Sequence, residues 1–397
     1  MKNKNLSLDI IPFQKILLII LIFFSLVKIF VVPLELLRGF GDITHFYQLA
    51  QIPGLPFIDY WVEFPPIPVY LFELFYWVGK EDFQKFSILF LFFISLVNVG
   101  NFYLVSIILN QIEPIKTQHR KNIIFFYLIV MLFLPYNWWY FDGLTLLFLL
   151  LGMSQFLNKK FFMSVVFISF GVLTKLFPFL FFVVFIKQKI DWKILIKSII
   201  LIVLIVGLPY LLFFVLSPEM TRASLVSQAM KGSWETIWAL IDGNYHTGNF
   251  GPLWERLDPS TAFNQIGNTS LIDPKITFIF FGLLGLIGIW RKTIHRPRQV
   301  TQLVLFTFCI FFIWSVGWSP QWVLYVIPFL LFSIPDHRIG LLISVIFILV
   351  NFFEWPIIIG FQWLNLLPIT ILIRTIGFIL LAIYLYRKMA DVQKNAG

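Results

Sequence analysis

Long apolar runs divided by short polar connectors organise the whole chain. The first run, "ILLIILIFFSLVKIFVVPL", is long enough as a helix to span the roughly 30 Å hydrocarbon core of a bilayer. Further runs cover 86–109, 123–136, 142–157, 161–174, 177–187, 194–216, 275–290, 300–316, 320–334, 339–356 and 366–386. The pattern predicts an all-α, polytopic transmembrane helical protein with about twelve spans. The run 64–79 is short and opens on Pro65 and Pro66, which suit a helix N-terminus. It is expected to lie along or dip into the outer interface without crossing. Several other runs hold only about fourteen residues, too few to cross an undisturbed bilayer. They imply a water-filled recess that enters from outside.

Composition supports the membrane reading. Charged residues make up 13% of the chain and hydrophobic ones 59%. A soluble domain carries roughly twice that charged fraction, so most of this surface must meet lipid. The first apolar run is followed by no small-residue cleavage site, so a cleaved signal peptide is not expected.

The net charge of +10 changes meaning once its positions are read. Basic residues collect at the N-terminus (Lys2, Lys4, Lys15), in "IEPIKTQHRK", at 158–160, 187–197, 291–298 and 336–338, and in the tail from Arg387. With these connectors inside, 20 Lys and Arg lie inside and 9 outside, with Lys28 within the first span. The acids distribute 5 inside and 15 outside. The basic bias is the positive-inside signature and points to no nucleic-acid partner. It predicts a multi-pass protein of the cell membrane with both termini cytoplasmic, forming one integral membrane domain over 1–397. Two extracytoplasmic segments stand out within it, 35–85 with juxtamembrane helices and 217–273. One cysteine, Cys309, permits neither an internal disulfide nor a cysteine metal site.

The notable polar residues gather on the outer side. Arg38, Asp42 and His45 follow the first span in "RGFGDITHFYQLA", and three-residue spacing puts Asp42 and His45 on one helix face. Asp59 and Glu63 stand four apart in "FIDYWVEFPPIPVY". Their hard oxygens suit Mg²⁺, Mn²⁺ or Ca²⁺ or a basic substrate, or they simply keep the loop wet. Asp142 opens a span in "LPYNWWYFDGLTLL", where helix capping is the plain explanation. Its neighbours Trp138, Trp139 and Tyr140 suit interfacial anchoring or stacking on a sugar or isoprenoid. Lys175 interrupts the apolar hairpin "FGVLTKLFPFL" at an outer turn. An ionisable residue there is costly and so is a functional candidate, either snorkelling to the interface or meeting an anion such as a lipid phosphate. Gln321 lies at another outer turn, "WSVGWSPQWVLYVIP". No phosphate-binding glycine loop, HExxH or nucleophile motif occurs, and no connector is large enough for a nucleotide domain.

An acid after the first span, then "GLPFIDYWVEFPP", "FDGL", "LTKLFP" and "SPQW", in that order, resemble the GT-C superfamily of integral membrane glycosyltransferases. The resemblance runs over about residues 38–335 and is to the polyprenyl-phosphate-mannose-dependent type, related to the first GPI mannosyltransferase. It implies an inverting transfer of mannose or another hexose from a polyprenyl-phosphate sugar to a glycan, lipid or protein acceptor, beside membrane lipids. It assigns Asp42 as general base, Glu63 with Pro65 and Pro66 as a wall of the site, and Lys175 as the cation facing the carrier phosphate. Arg38, His45, Asp59, Asp142 and Gln321 are the further candidate substrate contacts. A divalent cation (Mg²⁺ or Mn²⁺) would fall to Asp42 and Glu63. The chain departs from the GPI enzymes here, because their Asp-x-Asp is replaced by Asp42-Ile43-Thr44.

Two other classes compete. A lipid-linked sugar flippase or other transporter places charges near the bilayer midplane along a two-sided path, whereas these cluster at one face, and no internal repeat is visible. An O-antigen ligase or polymerase leans on arginine and histidine in a late loop, whereas the acids here cluster in the first.

Overall fold

The computed structural model describes residues 10–31, 41–112, 116–188, 190–245, 248, 251–292 and 294–391. Arg38 lies outside the described residues. Among the described residues the fold is helical throughout, with no strand beyond three isolated bridges. Among the described residues, six helices are long and apolar enough to cross a membrane: Pro12–Phe30, Phe83–Ile112, Trp192–Leu216, Pro297–Trp314, His337–Ile358 and Leu364–Met389. Shorter apolar helices occupy other predicted runs, including Asp142–Leu157 and Phe161–Thr174. Apolar runs become helices because lipid offers backbone groups no hydrogen-bond partner, so each segment must satisfy its own.

The chain divides into two compact units. The first comprises Met1–Pro53, Phe64–Phe179 and Ser198–Gly207, and the second comprises Gly54–Glu63, Leu180–Lys197 and Leu208–Gly397.

In the first unit, α1 (Ile10–Phe30), α2 (Ile43–Leu49), α3 (Pro66–Val78), α4 (Phe83–Ile112), α5 (Thr117–Phe133), α6 (Tyr136–Trp139), α7 (Asp142–Leu157) and α8 (Phe161–Thr174) follow in order. The 13-residue α3 is about 20 Å long by its rise per residue, well short of a bilayer. Pro66, Val69, Phe72 and Phe75 recur every three residues and bury one face of it. The central helix is α4, which packs against α1, α3, α5 and α7. The hairpin α7–α8 closes tightly through small residues. A Cβ added at Gly152 would lie 2.5 Å from Ile168 Cδ1, and Ser164 Oγ donates to the Gly152 carbonyl at 2.7 Å.

The second unit contains α9 (Val183–Lys187), entered through the 3₁₀ turn Phe177–Phe182, and the ends of α10 (Trp192–Leu216). It continues through α11 (Pro218–Met230), α12 (Ile237–Asp242), α13 (Pro274–Trp290), α14 (Pro297–Trp314), α15 (Val323–Ser333), α16 (His337–Phe352) and α17 (Leu367–Asp391). The described part of the predicted outer segment 217–273 contains α11, α12 and two 3₁₀ turns, Leu253–Leu257 and Pro259–Phe263. The connector acids Asp191, Asp273 and Asp336 each accept a backbone N–H two residues on and cap α10, α13 and α16. Little of α10 is buried, and Val203, Leu204, Leu211 and Val215 are exposed, as lipid contact requires.

Candidate functional site

In the first unit the site is built from two helix ends. Because α7 and α8 form an antiparallel hairpin, the start of α7 lies beside the end of α8. Asp142 stands in the first turn of α7 and Lys175 at the C-cap of α8. An anion is favoured at a helix N-terminus and a cation at a C-terminus, and here the two meet. Lys175 Nζ donates to Asp142 Oδ1 at 2.5 Å. The side chains are unequally covered, 21% exposed for Lys175 and 2% for Asp142. The carboxylate is therefore the buried anchor and the ammonium the presented group. Asp142 is not the N-cap, a position taken by Phe141.

The turn before α7 is held from below by α4. Asn98 Nδ2 donates to the Asn137 carbonyl at 2.6 Å and Asn101 Nδ2 to the Gly143 carbonyl at 2.9 Å. Asn137 Nδ2 in turn donates to the Val130 and Leu134 carbonyls at the end of α5. These amides tie the turn to α4 and to the end of α5 through backbone carbonyls.

Asp42 and His45 come to the same turn through α2. A Cβ added at Gly41 would lie 2.4 Å from Trp139 Cβ, so only glycine permits this approach. Asp42 occupies the N-cap of α2, but its side chain does not cap the helix. Phe46 on α2 stacks on Phe72 at 4.3 Å and lies 5.6 Å from Phe141. The His45 ring is 6.2 Å from Phe64, which meets Phe141 edge-on at 5.3 Å. Lys175 Nζ lies 5.8 Å from the same Phe141 ring. Phe64 and Phe141 thus form an aromatic wall that joins His45 to the Asp142–Lys175 pair. Ring contacts thus link His45 to the Asp142–Lys175 pair, and Gly41 sets the backbone of Asp42 beside Trp139 in the same turn.

In the second unit, Glu63 is buried and pairs with Arg256. The Arg256 guanidinium also lies 4.3 Å over the Trp61 ring. The Trp61 indole N–H reaches Thr261 Oγ1 at 3.1 Å, and Gln228 Nε2 donates to the Glu63 carbonyl at 3.0 Å. Asp59 is exposed and accepts the Leu55 N–H at 2.7 Å, closing a turn at Gly54, where φ is +102°. That bond gives Asp59 a structural task in the turn. Gln321 is half-buried in the 3₁₀ turn Pro320–Trp322 that leads into α15.

Glu63 already meets the full charge of the Arg256 guanidinium. Among the described residues, no group of three or more His, Cys, Asp or Glu side chains gathers as a metal cage. This donor set does not fit the divalent cation that the sequence suggested.

The second unit also holds a cluster that the sequence reading passed over. Glu354 lies in the π turn Phe353–Ile358, where Pro356 interrupts the helix, and Arg374 lies on α17. The Arg374 guanidinium donates to Glu354 Oε2 and to the Glu235 carbonyl, and lies 4.7 Å over the Trp318 ring. All three ionisable side chains are buried. Glu235 has φ +52°, an unfavourable backbone for a residue with a Cβ, and the Arg374 bond to its carbonyl helps hold it there. Burial pushes the Glu235 carboxyl well above the usual carboxylate range. Nearby Glu354 adds to this, while Arg374 and Lys231 oppose it. A signal for this cluster existed, since Glu354 and Arg374 interrupt apolar runs as Lys175 does. Arg256 sits in an ordinary polar loop, and nothing in its sequence surroundings marks it.

No protein-family model matches the chain, and no curated protein matches it. Among solved structures, the chain is similar to the crystal structure of the Archaeoglobus fulgidus oligosaccharyltransferase in the apo form. The identity is 14% and the TM-score 0.41, over 96% of this chain and 56% of that one. The chain therefore spans little more than half the length of that protein.

Proposed function

We propose that the protein is an integral membrane glycosyltransferase that moves a hexose, such as mannose, from a polyprenyl-phosphate sugar to a hydroxyl acceptor at the extracytoplasmic face. The observation that carries this reading is the meeting of Asp42 and His45 with the Asp142–Lys175 pair around one aromatic-walled turn. The arrangement offers a carboxylate base, a held cation and aromatic faces suited to a sugar or isoprenoid.

In the proposed reaction the acceptor hydroxyl gives its proton to Asp42 as its oxygen attacks the anomeric carbon. The bond from that carbon to the phosphate oxygen breaks, the configuration inverts, and polyprenyl phosphate leaves with the electron pair. Charge then grows on the phosphate. Lys175, oriented by Asp142 rather than by solvent, stabilises that charge without having to reorganise. Its Coulomb contribution is larger in a partly desolvated recess than in water. No step passes through a metal.

The test is incubation of purified protein with a panel of labelled polyprenyl-phosphate sugars. One donor should be consumed by the wild type, and Asp42→Asn should lose transfer while keeping its unfolding midpoint. Full transfer by Asp42→Asn would remove Asp42 from its role, and no transfer from any donor would sink the reading. Sidedness is tested separately by Ser260→Cys in a Cys309→Ala background, with labelling by an impermeant thiol reagent expected from outside.

A further inference from the structure

Lys28 is the only charged residue between Lys15 and Glu35, and it lies within the apolar helix α1. Its Nζ donates to the Leu132 carbonyl at 2.5 Å, at the end of α5, and lies 4.6 Å over the Trp138 ring. The carbonyl and the ring face satisfy some of its donors, but neither carries a full negative charge. Among the described residues no carboxylate pairs with it. Trp138 adds a second observation. Its indole N–H is buried and has no acceptor among the described residues. Among the described residues, a cation without an anion and a buried donor without an acceptor thus stand side by side. Both deficits would be met by one anionic group that carries several acceptor oxygens.

The ligand's other half is set by the surroundings. Lys28 is flanked on α1 by Phe24 and Phe30, both exposed large hydrophobics of a membrane-spanning helix. A ligand arriving there travels in the lipid phase. We infer that Lys28 and Trp138 form a subsite for the phosphate of a membrane lipid. The subsite adjoins the candidate active turn directly. The Trp138 and Trp139 rings lie 5.7 Å apart, and Trp139 is the residue against which Gly41 packs. On the proposed activity, on which this assignment of the lipid rests, the ligand is the polyprenyl phosphate carrier.

The test measures binding and needs no sugar transfer. Polyprenyl monophosphate and phosphatidylglycerol are titrated separately into detergent-purified full-length protein, and bound lipid is read by native mass spectrometry. Loss of one charge-assisted hydrogen bond predicts that Lys28→Met weakens polyprenyl monophosphate binding by about tenfold or more. Lys28→Arg should retain binding, and Trp138→Phe, which keeps a ring but removes the N–H, should weaken it by about threefold. Equal Lys28 dependence for both lipids assigns the subsite to lipid phosphate in general, and stronger dependence for the polyprenyl lipid assigns it to the carrier. Unchanged binding in a folded Lys28→Met protein overturns the inference, as does binding of neither lipid by the wild type. If Lys28→Met fails to fold, unchanged affinity in Trp138→Phe overturns it instead. Sugar transfer with Lys28-independent lipid binding would remove this subsite alone. Lys28-dependent binding with no transfer would remove the proposed activity alone.

Discussion

Lys175 Nζ lies 2.5 Å from Asp142 Oδ1, across the open end of the α7–α8 hairpin. The two residues are 33 apart in sequence, yet each sits at the helix end whose dipole favours its charge. The pair is asymmetric, with the acid buried and the base partly exposed, so its two halves should respond differently to mutation.

Lys175→Met removes the cation from a buried carboxylate and should destabilise the protein by about 3 kcal/mol. Asp142→Asn should cost less stability, because Lys175 keeps access to solvent, but should still reduce sugar transfer by releasing the ammonium. The double variant should recover much of the stability lost in Lys175→Met. Chemical unfolding in detergent reads all three, and a double variant as unstable as Lys175→Met would show that the pair is not the cause.

Gly41→Ala tests the approach of α2 to the active turn. The added methyl meets Trp139 at 2.4 Å, so α2 must shift, at about 1–3 kcal/mol. Transfer should fall because Asp42 moves with Gly41. Gly282→Ala on α13 is the control, since nothing lies within 4 Å of its added methyl. Equal activity in the two variants would mean that the Gly41 contact positions nothing.

Glu235 predicts a pH dependence of stability. Its carboxyl is raised in the folded protein by burial and by Glu354, against Arg374 and Lys231. The folded state therefore binds this proton more tightly than the unfolded chain does. The resulting stability is fully present below the ordinary glutamate range and is lost as pH rises through the raised value. Glu235→Gln, which mimics the protonated acid, should flatten this decline in unfolding midpoints. An unchanged slope in Glu235→Gln would place the titration elsewhere.

The apolar pattern made the helices legible in detail. The runs expected at 142–157 and 161–174 are the helices Asp142–Leu157 and Phe161–Thr174, and 194–216 lies within Trp192–Leu216. The short, proline-led run at 64–79 is the 13-residue helix Pro66–Val78. Such boundaries are local. A polar connector or a proline ends a helix wherever the chain then folds, and a backbone in lipid has few alternatives to a helix.

Residue type and position also singled out Asp42, His45, Asp142 and Lys175, since charge is expensive beside apolar runs. Their grouping around one turn was not legible. It depends on Gly41 meeting Trp139 and on Asn98 and Asn101 holding the turn, contacts that span about 40 to 100 residues. The same limit hid the partner of Glu63, 193 residues away in Arg256, and left Asp59 as a candidate ligand when its carboxylate closes its own turn. A charge's cost can be read from its immediate neighbours in the chain. The partner that offsets the cost is chosen by packing, and packing brings together residues that no local pattern relates.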